Sequence, residues 1–104
     1  MVVKNLIRQQ VCKLRQHHGW TQEDLAVKLQ LAGWHNATRS TVSKIEAGLL
    51  RIADYDLLLI AAALRVHLIH LFPKIDWSRP MDETIHQFIP EEKHGLLPDE
   101  RKAP

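Results

Sequence analysis

The chain of 104 residues has one cysteine, Cys12, so no internal disulfide can form. No apolar run approaches the roughly 20 residues that span a bilayer, and no signal peptide opens the sequence. The expected compartment is therefore the cytoplasm. A Gly-rich phosphate loop is missing, as is any strand to precede one. Seven histidines are present, with His67 and His70 one helical turn apart and His17 beside His18. A zinc site needs four convergent ligands, with cysteines or carboxylates at defined spacing. No such set occurs, and neither a metal nor a cofactor is expected. Cys12 lies among basic residues without a histidine placed beside it by a recognisable motif. With no catalytic residue to name, the chain does not read as an enzyme.

What is present is ordinary in bulk and uneven in distribution. An apolar share of 45% and a charged share of 25% suit one globular domain with a modest core and a tail. The net charge of +2 divides unequally. Residues 1–51 carry eight Lys or Arg against Glu23, Asp24 and Glu46, whereas residues 52–104 carry six against nine acidic groups. A basic front half is the electrostatic footprint expected on a phosphate backbone. A solvated surface with uneven charge is the plainer alternative.

The stretch from Thr21 to Gly48 organises the rest. Thr21 can cap a helix whose first turn holds Glu23 and Asp24, carboxylates suited to its positive end. Leu25, Ala26 and Leu29 recur at helical spacing, and Gly33 is a natural stop. After the loop Trp34-His35-Asn36-Ala37, Thr38 caps a second helix, Arg39 to Ala47, ended by Gly48. Val42 and Ile45 face inward there, and Arg39, Ser40, Thr41, Ser43 and Lys44 face outward. Two short helices with a polar, basic start to the second make a helix-turn-helix.

These residues also carry a resemblance. Thr21-Gln22-Glu23-Asp24-Leu25-Ala26 and Arg39-Ser40-Thr41-Val42-Ser43-Lys44-Ile45-Glu46-Ala47-Gly48 resemble the lambda-repressor-like, Xre-type family of bacterial and phage regulators. The likeness continues through Leu57 to Val66, which is similar to the family's fourth helix, and covers roughly residues 3–73. It implies that Arg39, Ser40 and Lys44 read bases and that Arg15 and Glu46 form an internal ion pair. Two departures stand out. Gln30 to Ala37 make a longer joint than the family's usual one, with Trp34 as a packing plug or, alternatively, an exposed contact. Leu49-Leu50 replace the usual polar residues after the glycine, leaving Arg51 as the basic group there.

Around this centre, residues 3–18 read as a first helix through Leu6, Val3, Ile7, Val11 and Leu14, closed by Gly19, with Trp20 as a partly buried bridge. Residues 54–65 read as a fourth helix begun by Asp54, with a core stripe of Leu57, Ile60, Ala61 and Leu64. Leu58, Leu59 and Ala63 widen that stripe beyond what one small core needs. A short fifth helix at 67–72 is stopped by Pro73. In the extension, Pro80 and Pro90 bracket a short helix at 82–89, capped by Asp82 and presenting Ile85, Phe88 and Ile89. The last 14 residues are polar and expected to fray.

The expected architecture is all-α: a five-helix lambda-repressor-like DNA-binding domain over residues 1–73, with a C-terminal extension over 74–104. The expected function is a sequence-specific DNA-binding regulator, a repressor, placing helix 39–47 in the major groove of double-stranded DNA. The DNA-binding set is Gln22, Thr38, Arg39, Ser40, Thr41, Ser43, Lys44 and Arg51. Arg39 is the specificity candidate, because a guanidinium bonds guanine O6 and N7 together, with a phosphate contact as its alternative. Gln22 is assigned to a backbone phosphate at the start of its helix. Few base contacts per helix imply a homodimer, built at the C-terminal end from Leu58, Leu59, Ile85, Phe88 and Ile89. Two other readings stay open: an antitoxin that also binds a toxin, and a protein-binding adaptor on the same fold. A DNA-binding protein would be nucleoid-associated.

Overall fold

The computed structural model describes residues 3–88, which are helical with no strand among them. Four α-helices come first: α1 (Arg8–His17), α2 (Gln22–Ala32), α3 (Arg39–Glu46) and α4 (Asp54–Leu64). A 3-10 turn at Leu68–Leu71 follows. The chain divides into two units, Met1–Pro73 and Lys74–Pro104. No helix of the described residues is long and apolar enough to cross a membrane.

The four helices end alike. After each, a residue two or three past the helix end donates its amide to a carbonyl five back, and the residue before it donates to one three back. These pairs are Trp20 to Arg15 and Gly19 to Gln16, Trp34 to Leu29 and Gly33 to Gln30, Leu49 to Lys44 and Gly48 to Ile45, and Val66 to Ala61 and Arg65 to Ala62. This is the Schellman closure, which needs one residue with positive φ. Glycine fills that place three times, at Gly19, Gly33 and Gly48. At the end of α4 it is filled by Arg65, at φ +57°.

Leu25, Leu29, Val42, Ile45, Ile60 and Leu64 are fully buried, joined by Ile7, Val11, Ala37 and Leu71. α2 is the centre of the packing, in contact with both α3 and α4, while α1 lies against α3. Trp20 bridges the α1–α2 joint as expected: it is half-buried, stacks on His18 at 4.1 Å, and has the Lys28 ammonium 5.2 Å from its ring centroid. His18 Nε2 lies 2.7 Å from the Leu64 carbonyl, which ties the end of α1 to the end of α4. Trp34 is half-buried against the core and plugs the long α2–α3 joint.

Several boundaries differ from the sequence expectation, each for a tertiary reason. The first helix begins at Arg8, not at residue 3. Lys4 N donates to the Gly48 carbonyl (2.8 Å), and Asn5 Nδ2 donates to the carbonyls of Ile45 (3.2 Å) and Leu50 (3.0 Å). Those bonds hold the segment against the end of α3, so it cannot coil into another turn. Helix α4, by contrast, begins at Asp54 as expected, and Asp56 in its first turn closes the start: its Oδ2 accepts from Ala53 N at 3.0 Å. The fifth helix is a single 3-10 turn, its entry fixed by His67 Nδ1 accepting from Ile69 N. Four residues before Pro73 leave no room for more. Leu50 packs on the core, but Leu49 stays exposed.

In the second unit, α5 (Met81–Thr84) runs into a 3-10 turn at Ile85–Gln87. Pro80, not Asp82, occupies the cap position, and Asp82 lies in the first turn. Ile85 and Phe88 are half-buried. Ile89 and the polar tail lie outside the described residues.

Candidate nucleic-acid interface

Thr38 and Thr41 set where α3 begins. Thr41 Oγ1 accepts from Thr38 N (3.0 Å) and Thr38 Oγ1 accepts from Thr41 N (3.4 Å), a reciprocal box that satisfies two otherwise free amides. A second box of the same design opens α2, where Thr21 Oγ1 accepts from Asp24 N (3.0 Å) and Asp24 Oδ2 from Thr21 N (2.9 Å). The joint between the helices is held by Gln30, whose Nε2 donates to the carbonyl of buried Ala37 at 2.6 Å. With both ends capped and the joint bonded, α3 has one orientation.

That orientation sorts its side chains by face. Val42 and Ile45 are fully buried. Arg39, Ser40, Ser43 and Lys44 are exposed, as is Thr38 at the cap. Thr41 is half-buried, and its hydroxyl oxygen is engaged in the box. Arg51, in the loop after α3, is exposed. The free face of α3 thus carries two cations and two hydroxyls that can meet the donors and acceptors of base edges.

The inner end of α3 is anchored by charge. Arg15 Nε and Nη2 donate to Glu46 Oε2 (2.7 Å) and Oε1 (3.0 Å), a side-on bidentate pair with side-chain exposures of 12% and 7%. Arg15 Nη1 also donates to the Trp20 carbonyl at 2.7 Å. Burial pushes the Glu46 pKa up, but the hydrogen bonds from Arg15 and Gln22 outweigh it and hold the carboxyl below the usual range. Bonding to Glu46, against the cost of burial, raises the Arg15 pKa. Burial, with the Glu46 charge beside it, raises the Cys12 thiol pKa against the lowering effect of Arg15.

Gln22, expected on a phosphate, is half-buried and donates from Nε2 to Glu46 Oε1 at 3.2 Å. Its second amide hydrogen and its carbonyl oxygen remain for another partner. Neutralisation of Glu46 by Arg15 keeps a buried negative charge from opposing an anion there.

Two residues that position this surface are not conspicuous in the sequence. Asn5 and Gln30 bind backbone carbonyls at the two ends of α3's supports. Asn5 gives a faint signal, a poor helix former amid apolar neighbours. Gln30 gives none, since glutamine suits any exposed helical position. Among the described residues, no group of three or more His, Cys, Asp or Glu side chains is placed to hold a metal ion.

Comparison with curated proteins and with solved structures returned no significant match. A helix-turn-helix family model matches residues 13–71, more than half of the chain and the whole of the α2–α3 unit. With the capped helix pair and its exposed basic face, the match makes this chain a member of the Xre and lambda-repressor-like helix-turn-helix family of DNA-binding transcription regulators.

Proposed function

We propose that the protein is a sequence-specific repressor that lays α3 in the major groove and binds its operator as a homodimer. The observation that carries this reading is the sorting of α3. Arg39, Ser40, Ser43 and Lys44 project into solvent from a helix whose opposite side, Val42 and Ile45, is sealed in the core. A helix start fixed this firmly can hold side chains within the tolerance that hydrogen bonding to bases requires. Arg39 takes guanine, Ser40 and Lys44 read neighbouring positions, and Ser43 and Arg51 border the groove. Gln22 bridges Glu46 and a phosphate, fixing register without reading sequence. Repression needs nothing beyond occupancy of the site.

Selection of bound sequences from a random DNA pool tests the proposal. Enrichment of a two-fold symmetric site is expected, and failure to enrich any sequence at low salt overturns it. On the selected site, Arg39→Ala should weaken binding by about 1–3 kcal/mol and relax preference at one base pair per half-site. Gln22→Ala should weaken all sequences alike, measured at one fixed salt concentration. If Arg39→Ala also lowers every affinity equally, Arg39 is a backbone clamp and base reading passes to Ser40, Thr41 and Lys44.

A further inference from the structure

The outer face of α4 is a stripe of five exposed residues: Asp54, Tyr55, Leu58, Ala62 and Arg65. Leu58 is 58% exposed and Tyr55 64%, although the helix is otherwise apolar and turned to the core. Beside the stripe, Leu31 at the end of α2 is 79% exposed. It borders a shallow hollow together with Lys28, Ala32, Ala62 and Arg65. Three features of this surface point to one occupant.

The first is charge. The stripe is acidic at its N-terminal end, with Asp54 in the first turn of α4, and basic at its C-terminal end, with Arg65 beside Lys28. Neither Arg65 nor Lys28 has an ion pair among the described residues. A surface with opposite charges at opposite ends is complementary to itself turned end for end, as a two-fold interface requires.

The second is shape and register. When two α4 helices lie antiparallel with Leu58 of one copy over Ala62 of the other, Asp54 and the second copy's Arg65 come level to within about 1.5 Å along the axis, one residue's rise. The large side chain meets the small one, and the leucine enters the hollow between α2 and α4. Both contacts occur twice about the axis.

The third is Arg65 itself. The same chain end is made with glycine after α1, α2 and α3. A non-glycine residue at φ +57° is strained, because its Cβ crowds the following carbonyl oxygen. The conformation leaves the Arg65 side chain exposed at the end of the stripe, where an ion pair with a second copy can form.

We propose that α4 is the self-association surface of this protein, pairing antiparallel with α4 of a second copy through Leu58 in the Ala62 hollow and Asp54 on Arg65. The contact gives the repressor reading the two-fold partner it calls for. It stands or falls separately, because it is measured without DNA.

Sedimentation equilibrium of the full chain should show a monomer–dimer equilibrium, and Leu58→Asp should weaken it at least tenfold. The decisive arm is a charge swap. Asp54→Arg alone and Arg65→Asp alone should each weaken dimerisation severalfold, by placing like charges together. Asp54→Arg with Arg65→Asp should restore it, whereas damage to folding would accumulate in the double variant. Circular dichroism melting checks that each variant is folded. A full chain that stays monomeric at high concentration overturns the proposal, as it would if its own C-terminal tail covered the stripe. A dimer insensitive to Leu58→Asp, or a double swap no better than either single one, also overturns it. A monomer that still selects a DNA sequence would leave the DNA reading intact, and a dimer that selects none would do the reverse.

Discussion

Replacing Glu46 by alanine should do more harm than any change on the exposed face of α3. The carboxylate accepts three hydrogen bonds, two from Arg15 and one from Gln22, while only 7% of its side chain meets solvent. Its removal leaves the Arg15 guanidinium, itself 12% exposed, with the Trp20 carbonyl as its remaining strong acceptor. Breaking one side of a buried pair costs about 3–5 kcal/mol, because the surviving charge is left desolvated. The bond to Trp20 retains part of that, so the lower end, about 3 kcal/mol, is expected. For a unit of this size each kcal/mol moves the midpoint by about 4–8 °C, which predicts a fall of about 12 °C or more. Urea unfolding followed by tryptophan fluorescence provides the assay, with Trp20 adjacent to the pair. Replacing both partners, Arg15→Met with Glu46→Leu, should recover most of the loss, since no charge is then stranded. A loss below about 1 kcal/mol for Glu46→Ala, the range of solvent-exposed pairs, would refute the reasoning and make the contact ornamental.

The same carboxylate predicts a pH dependence. A group whose folded pKa lies below its unfolded value, about 4.3 for glutamate, contributes stability at higher pH and loses it as pH falls through the folded value. Acid titration of stability should therefore drop below about pH 4, and Glu46→Gln should flatten that drop. Gly48→Ala should cost more than Gly19→Ala. Both positions have φ near +75°, but a Cβ at Gly48 would lie 2.7 Å from Arg8 Cδ and 3.1 Å from Val3 Cγ1, while one at Gly19 meets nothing within 4 Å. Equal melting shifts would mean that Arg8 and Val3 yield freely. Thr38→Ala should cost about 1 kcal/mol by removing the α3 cap, and it should weaken selected-site binding more than the fold alone explains if the helix start is what positions Arg39.

Much of this molecule is local chemistry, and that part is legible in the chain. Thr21 with Asp24 and Thr38 ahead of α3 are caps because a hydroxyl or carboxylate finds amides a fixed number of residues away. Gly19, Gly33 and Gly48 end helices because few other residues accept positive φ cheaply. The 3.6-residue period alone separates Val42 and Ile45 from Arg39, Ser40 and Lys44. The Arg15–Glu46 pair was implied only by resemblance, since 31 residues separate its members and no local spacing links them.

What tertiary structure alone decided were choices between two locally acceptable states. Residues 3–7 have the apolar spacing of a helix, yet the carbonyls of Ile45, Gly48 and Leu50 claim their donors. Gln22 looks like a solvent-facing amide until the fold brings Glu46 within 3.2 Å of it. Arg65 ends α4 at positive φ, where its three counterparts are glycines, and nothing in its local sequence calls for that conformation. α4 carries leucines and alanines on nearly every side, so hydrophobicity does not show which of them is left outside. Packing against α2 buries Ile60, Ala61, Ala63 and Leu64 and leaves Leu58 and Ala62 to solvent, since a helix can turn only one side to a core.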